Sequence, residues 1–329
     1  MKLLIPGGAG YIGSHMVRYA QQYGHEVVVL DDFSTGHKWA VKDCEILQVN
    51  LIDQDKLSQL LKGRHFDGVI HFAGKSLVGE SINNPEIYYR NNVVGTMNLV
   101  KEMLKNDNYN FIFSSSASIF GNPVTEKISE DHPKNPINPY GQSKFIVENI
   151  LQDYCTAYGM NAICFRYFNA AGADISGEIG ESHDPETHLI PSILKSVISK
   201  KNELKIFGDD YPTPDGTCIR DYIHVSDLAH AHFLGLEKCI TSRGHFDTYN
   251  LGNGNGFSII DLINSVERVT QSCVNYEICE RREGDPPILI ANIEKAVNIL
   301  SWKPVFTSID SIIGSAMRWH QKINNKEVT

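Results

Sequence analysis

The chain predicts an α/β protein: a Rossmann-type, doubly wound parallel sheet with a smaller mixed α/β C-terminal domain. Three observations carry this. Short apolar runs alternate with helically spaced segments through about residue 169, which is the pattern of βαβ units around a parallel sheet. A glycine-rich turn, Gly7-Gly-Ala-Gly-Tyr-Ile-Gly13, joins the first apolar run to the first helical segment. The chain has 329 residues, enough for two domains at about 150 residues each.

The elements follow in order. Lys2–Pro6 is a short apolar run, and Tyr11–Tyr23 has helix-like spacing. His25–Leu30 is β-branched and ends at Asp31-Asp32. Glu45–Val49 predicts a strand, after which Asp53 can N-cap a helix to about Leu61. Phe66–Phe72 is short and apolar. Over Tyr88–Leu104, the residues Val93, Met97, Val100 and Leu104 recur at steps of four, three and four, predicting an amphipathic helix. Asn110–Phe113 predicts a strand that runs out into Ser114-Ser-Ser116. Val147, Ile150, Leu151, Tyr154 and Tyr158 predict a helix over Phe145–Tyr158, and Asn161–Phe168 predicts a strand. Ala170–Thr187 is rich in Gly, Ser, Asp and Glu and predicts a loop. Helices are expected near Leu189–Lys201, Val225–Lys238, Ser258–Thr270 and Ser308–Gln321, with a frayed polar end at Asn324–Thr329.

Composition narrows the function classes. Thirty basic against thirty-nine acidic side chains give a formal net charge of −9. A nucleic-acid binder should carry a basic face, so none is expected as partner. No stretch approaches the roughly 18 apolar residues of a membrane span. The strand-like run beginning at Lys2 leaves no room for a signal peptide. The seven cysteines are widely spaced and contain no C-x-x-C, which predicts reduced thiols in a cytoplasmic protein. The histidines show no H-E-x-x-H, and His230 and His232 are two apart on a helix, so no metal site is expected.

Two constellations carry chemistry. The glycines at 7, 10 and 13 sit between a strand and a helix, whose N-terminus offers free N–H groups to a pyrophosphate. Asp31 follows Gly13 by 18 residues, at the end of the second strand, where a carboxylate can accept from an adenine ribose hydroxyl. It would repel a 2′-phosphate, so NAD is expected rather than NADP. The plainer reading has Asp31 capping the turn into Asp32-Phe-Ser-Thr-Gly36. Further along, Tyr140-Gly-Gln-Ser-Lys144 puts a phenol and an ammonium on one helix face. The lysine charge is expected to lower the phenol pKa and make a general base. Ser114-Ser-Ser116 supplies a hydroxyl at a strand's C-terminal end, where open α/β sheets bind ligands.

Together, Gly7-x-x-Gly10-x-x-Gly13, a serine on the fifth strand and Tyr140-x-x-x-Lys144 resemble the extended short-chain dehydrogenase/reductase family. Further blocks are similar to its nucleotide-sugar epimerases: His71-Phe-Ala-Gly74, Val78-Gly-Glu-Ser81, Arg166-Tyr-Phe-Asn169, Asp215-Gly-Thr-Cys-Ile-Arg-Asp-Tyr-Ile-His-Val225, Tyr249-Asn-Leu-Gly252 and Arg281-Arg-Glu-Gly-Asp285. These blocks span nearly the whole chain.

The resemblance implies a domain order and a set of roles. Residues 1–169 would form an NAD-binding domain, completed by a returning segment near 215–252, and 170–329 a UDP-sugar domain. Tyr140 would be the base, Lys144 its electrostatic partner and a ribose ligand, and Ser116 a partner of the reacting hydroxyl. Gly7, Gly10, Tyr11, Ile12, Gly13, Asp31, Asn50, Leu51, Phe72, Ala73, Gly74, Asn91 and Tyr167 would line the cofactor. Phe168, Asn169, Leu189, Phe207, Arg220, Tyr222, Arg282, Asp285 and Leu289 would join Ser116 and Tyr140 around the UDP-hexose, with Asn169, Arg220 and Arg282 on the phosphates and Asp285 on the uridine ribose. Guanidinium forks suit a pyrophosphate, although an Arg beside Asp or Glu is often a surface ion pair.

The implied activity is interconversion of UDP-glucose and UDP-galactose through a 4-keto intermediate on tightly bound NAD, in a homodimer. The dimer would pair the helices at Tyr88–Leu104 and Phe145–Tyr158 of two copies. The chain departs from the family's pattern at Lys75-Ser76, at Asn50 where an Asp is usual, and at His188 where an Asn is common. Leu289 stands four residues past Asp285, where strict glucose/galactose members often carry Tyr. The Leu would leave room for an acetamido group, so UDP-GlcNAc and UDP-GalNAc enter the expected range. A 4,6-dehydratase would need an Asp-Glu pair after the strand-five hydroxyl, but Ala117-Ser118 stand there. A non-catalytic NAD-binding regulator would be expected to lack the Tyr or the Lys.

Overall fold

The computed structural model describes residues 1–199, 204–282 and 285–327. The first part of the chain alternates as β1 (Lys2–Pro6), α1 (Tyr11–Gln22), β2 (Glu26–Asp31), β3 (Glu45–Gln48), α2 (Gln54–Leu61) and β4 (Gly68–His71). Two short helices follow, α3 (Val78–Asn83) and α4 (Pro85–Tyr88), then a π-helical turn over Tyr89–Val94 that leads into α5 (Gly95–Lys105). Next come β5 (Asn110–Ser116), β6 (Lys127–Ile128), α6 (Pro139–Tyr158), β7 (Asn161–Tyr167) and β8 (Asn169–Ala171). The remainder holds α7 (Leu189–Ser199), β9 (Leu204–Phe207), β10 (Ile219–His224), α8 (Val225–Ile240), β11 (Phe246–Leu251) and β12 (Gly256–Ser258). It ends with α9 (Ile259–Thr270), β13 (Tyr276–Cys279), β14 (Ile288–Ala291), α10 (Glu294–Leu300) and α11 (Ile309–Glu327).

Seven parallel strands run in the order β11-β7-β5-β4-β1-β2-β3. The order reverses at β1, between β2 and β4, which is the switch point where open α/β sheets bind ligands beyond the strands' C-terminal ends. Both faces are covered. One packs Leu3, Ile5, Ile70 and Phe165 against α1 and α8 residues such as Met16, Val17 and Leu236. The other packs Leu4, Val28, Val69 and Phe113 against Leu57, Leu99, Val147 and Leu151. The strands therefore read as continuous apolar runs rather than as alternating ones. The returning segment 225–251 adds α8 and β11 to this layer, whereas β10 pairs with β8, β12 and β14 in a second sheet. A separate core of Ile190, Leu194, Leu262, Val266, Ile312 and Ile313 joins α7, α9 and α11.

Several boundaries differ from the expectation for physical reasons. The segment Tyr88–Leu104 is not one regular helix. Its π-helical turn buries Asn92 and leaves Asn91 on the cavity wall. The helix expected from Phe145 starts at Pro139, because Asn138 accepts from Gly141 N at 2.8 Å and Pro139 fits the first turn. Ser114–Ser116 are not a loop exit but the last residues of β5, paired with Phe165–Tyr167 of β7. The expected fraying at Asn324 begins no earlier than Glu327, where α11 ends; 328–329, and Lys201 of the expected Leu189–Lys201 helix, lie outside the described residues. Asp53 caps α2 by accepting from Lys56 N. Four of the seven cysteines are buried and all seven are free. Among the described residues, no helix is long and apolar enough to cross a membrane.

Candidate active site

A cavity of about 390 Å³ opens at the switch point. At one end the backbone makes the surface. Gly7 sits at φ +78°, and a Cβ there would fall 2.3 Å from Ala73 N. A Cβ on Gly13 would fall 2.1 Å from Gly7 O. The turn therefore closes against β4's exit only with glycine. Gly10 caps α1 without a side-chain partner, and no acid occupies the first turn, so the helix N-terminus remains free to receive an anion. Tyr11, Ile12, Leu51, Phe72, Ala73, Gly74 and Asn91 line this end with the three glycines.

Asp31 caps the turn that follows it and also faces the cavity. Oδ2 accepts from Ala9 N and Oδ1 from Phe33 N, each at 2.9 Å, so the carboxylate braces the glycine turn and the turn that follows β2. It also lines the cavity, and a carboxylate has about four acceptor positions, so two remain for a ribose. Burial pushes its pKa up. Asn50 donates from Nδ2 to Asp32 Oδ2 at 2.7 Å and lines the cavity beside it. These features fit NAD: a bare helix N-terminus for the pyrophosphate and an acid at the ribose position.

At the middle of the cavity stand Ser116, Tyr140 and Lys144, with Tyr167 behind them. Strand alternation sorts the three serines. Ser114 and Ser116 face the cavity, while Ser115 donates to Glu148 Oε1 at 2.5 Å on the other side, where Glu148 holds Arg166 in a buried ion pair at 2.6 Å. Ser114 Oγ meets the Tyr167 hydroxyl. The Lys144 ammonium donates to Ser114 O at 2.8 Å and lies 4.8 Å from the Phe113 ring centre. Burial pulls the Lys144 pKa down to about 8.

The expected lowering of the Tyr140 pKa is corrected by the structure. Tyr140 is half-buried, and burial pushes its pKa up while a hydrogen bond with Ser116 opposes the shift. Lys144 directs one N–H to the Ser114 carbonyl. At Tyr140 desolvation outweighs the Ser116 hydrogen bond.

Beyond the catalytic set, Phe168, Asn169, Leu189 and Tyr222 line the other end of the cavity. Asn169 Nδ2 donates to Asp221 O at 2.9 Å. The remaining residues expected around the UDP-hexose are not on the cavity lining. Arg220 pairs with Asp285 at 2.5 Å, and the Arg282 guanidinium stacks 4.1 Å over the Phe207 ring centre. Leu289 is the register neighbour of Arg220 and packs on the cluster that holds Phe168, Ala117 and Phe120. These five form a second group next to the cavity, organised by β9, β10 and β14.

Two cavity features went unpredicted. Ser34, Thr35 and Gly36 extend the glycine end, and no spacing rule would have found them. Glu181, His183 and His188 line the wall near Leu189; with Glu186 they read E-x-H-x-x-E-x-H, a density of donors that could have been noticed. His232, by contrast, is wedged among the Phe72, Phe165 and Tyr167 rings, donates from Nδ1 to Leu228 O, and has its pKa pulled down to about 4 by burial.

The parallel sheet, glycine turn and Ser-Tyr-Lys set define a nucleotide-cofactor enzyme of the short-chain dehydrogenase type. Comparison narrows this further. The model of the NAD dependent epimerase/dehydratase family matches residues 3–252, and the chain belongs to that family. It is 46% identical to the UDP-glucose 4-epimerase of Halalkalibacterium halodurans over 322 residues, 98% of this chain and 96% of the other. A solved UDP-glucose 4-epimerase superposes with a TM-score of 0.96 at 44% identity, covering 99% of each chain. The Brucella ovis UDP-glucose 4-epimerase, solved in complex with NAD, gives 0.93 at 45% identity, covering 96% of this chain and 97% of that one.

Proposed function

We propose that this protein is a UDP-glucose 4-epimerase, interconverting UDP-glucose and UDP-galactose on tightly held NAD. The observation that carries the reading is the gathering of Ser116, Tyr140 and Lys144 in the same cavity as the glycine turn, in a chain that matches such enzymes end to end. NAD, when bound, supplies a hydride acceptor and then the matching donor.

The protein's own groups do the rest. Tyr140, as phenolate, takes the proton of the sugar's 4-hydroxyl and later returns it. Ser116 hydrogen-bonds the same oxygen in both directions. Lys144 adds positive charge beside the phenol and would hold the nicotinamide ribose. Because burial raises the Tyr140 pKa in the protein alone, a cationic neighbour in the filled site would be needed to make the phenolate accessible at neutral pH. Gly7, Gly10 and Gly13 would hold the cofactor pyrophosphate, and Asp31 its adenosine ribose. Asn169, Arg220 and Arg282 hold the UDP phosphates, and Asp285, Phe207, Tyr222 and Leu189 the uridine end.

A 4,6-dehydratase is not favoured, because Ala117 and Ser118 follow Ser116 and neither can carry the acid/base work of elimination. The cell compartment is read as cytoplasmic, from the free cysteines. The assembly is read as a homodimer, because Val94 and Met97 are 45% and 38% exposed where the Tyr89–Val94 turn meets α5. The test is NMR of UDP-glucose and UDP-galactose incubated with purified protein and no added cofactor. Each should convert to the other. Conversion only on addition of NADP, or none at all with cofactor present, would refute the reading.

A further inference from the structure

The loop from β8 to α7 forms one wall of the cavity and carries the densest group of metal-ligating side chains among the described residues. Glu181, His183, Glu186 and His188 each present one ligand atom, and the four atoms lie within 4.8 Å of one another. The individual spacings are instructive. His183 Nδ1 is 3.2 Å from Glu181 Oε1 and 3.8 Å from Glu186 Oε1, and His188 Nδ1 is 3.9 Å from Glu186 Oε1 and in direct contact with Glu181 Oε1. A tetrahedral zinc with bonds near 2.0–2.1 Å sets its ligand atoms about 3.4 Å apart. Three of the spacings, at 3.2, 3.8 and 3.9 Å, lie close to that value, and the His188–Glu181 contact is tighter.

Hydrogen bonding within the group accounts for Glu181 but not for Glu186. Glu181 is 4% exposed and meets both imidazoles. Glu186 is 5% exposed, and its Oε1 is spent on the Thr187 and His188 amides at 3.0 Å each. Its Oε2 is buried with no hydrogen-bond partner. The Lys195 ammonium stays 3.9 Å from it, too far to donate. A buried carboxylate oxygen without a hydrogen bond is costly; Glu186 faces both imidazoles through Oε1, and a divalent cation held there would offset the charge of the whole carboxylate.

The geometry points to a structural zinc site made by Glu181, His183, Glu186 and His188. Two imidazoles and two carboxylates suit zinc among the divalent ions. Four protein ligands close the coordination sphere and leave no position for substrate, so the ion acts as a clamp. The start of the loop is fastened by Arg18 against Asp174 and Glu178, at 3.2 and 2.7 Å, and its backbone by Tyr11 donating to Gly172 O at 2.6 Å, Trp319 Nε1 to Glu181 O at 2.8 Å and His37 Nε2 to Ser182 O at 3.0 Å. Zinc would add side-chain fastening at the far end of the loop, where the wall ends at Leu189. This inference does not depend on the proposed sugar chemistry.

The experiment uses untagged full-length protein, stripped with chelator, desalted and titrated with cobalt(II) and then zinc. One equivalent of cobalt should bind with the intense visible bands of a tetrahedral site, and one equivalent of zinc should abolish them. Glu186→Gln and His183→Gln should each weaken binding by more than about 10-fold, since even outer partners of metal ligands cost that much. Weak octahedral cobalt bands, no bound metal, or binding unchanged in both variants would overturn the assignment. The wild-type spectrum decides the matter even if a variant fails to fold.

Discussion

The two ends of the cavity are built from different material. The glycine end is backbone: the Gly7–Gly13 turn pressed against Ala73, with a helix N-terminus above it. The far end is side chain: Phe168, Asn169, Leu189 and Tyr222 line it, and beside it stand Arg220 against Asp285, Arg282 over Phe207, and Leu289 on the cluster that holds Phe168. Backbone surfaces admit few residue types, so their requirements show in the sequence. Side-chain surfaces admit many, and only the fold reveals which of them meet. The difference also implies different failure modes. The glycine end should respond to added volume, and the far end to lost charge.

The largest effect is expected between the two ends. Tyr140→Phe removes the ionisable hydroxyl and should lower the turnover rate by at least about 10²-fold, the low end for acid–base catalysis. Retained NAD and UDP binding should be near wild type, since neither end loses a group. Wild-type turnover would show that Tyr140 is not the base. Gly7→Ala tests the backbone end. Its methyl would meet Ala73 N at a φ of +78°, and such strain costs about 1–3 kcal/mol. The purified variant should carry little NAD and melt lower, which absorbance of the denatured extract and calorimetry would read. An Ala variant that retains full cofactor would break the comparison at its stronger side.

At the far end, Arg220→Ala should raise KM for the UDP-sugar by about 10-fold or more, as loss of a charge-assisted hydrogen bond costs about 1.5–3 kcal/mol. Cofactor content should not change. The substitution also frees Asp285 from its ion pair, so Asp285→Asn beside it separates lost attraction from a newly unpaired acid. If KM is unchanged in both, Arg220 serves only to pair Asp285.

The same contrast explains what the chain disclosed before folding. The continuous apolar runs of the core strands and the helix starts at Tyr11 and Gln54 follow from local rules, as do the Tyr140–Lys144 spacing and the glycine turn. The π-helical turn at Tyr89–Val94 was hidden because three of the four positions that set the apolar spacing, Met97, Val100 and Leu104, lie beyond it in α5. The direction of the Tyr140 pKa was misjudged because spacing shows a nearby charge but not the loss of solvent. The pairings Arg220–Asp285 and Arg282–Phe207 join residues 65 and 75 positions apart, which no local pattern encodes. The acidic and histidine residues of the 181–188 loop lay together in sequence, but their mutual closeness depends on how the loop turns back on itself.

The smallest expected effect concerns substrate range. Leu289 sits on β14 beside Arg220 and leans on the cluster containing Phe168, which itself faces the cavity. Leu289 is off the lining, so it sets the room available to Phe168 rather than touching the cavity wall's surface. An acetamido group on the sugar's second carbon needs space on this side if it is to be accepted. A pocket rejects such a group by clash, not by missing contacts. Leu289→Tyr adds a ring behind Phe168 and should press it into the cavity. Wild type should therefore turn over UDP-GalNAc as well as UDP-galactose. The variant should lose about 10-fold on the acetylated substrate, within the range for a steric difference of this size, and keep most of its UDP-galactose turnover. Parallel progress curves with the two substrates measure the ratio. Equal losses on both would mean that the ring disturbs the site generally, and wild type inert toward UDP-GalNAc would mean that something other than position 289 closes the pocket.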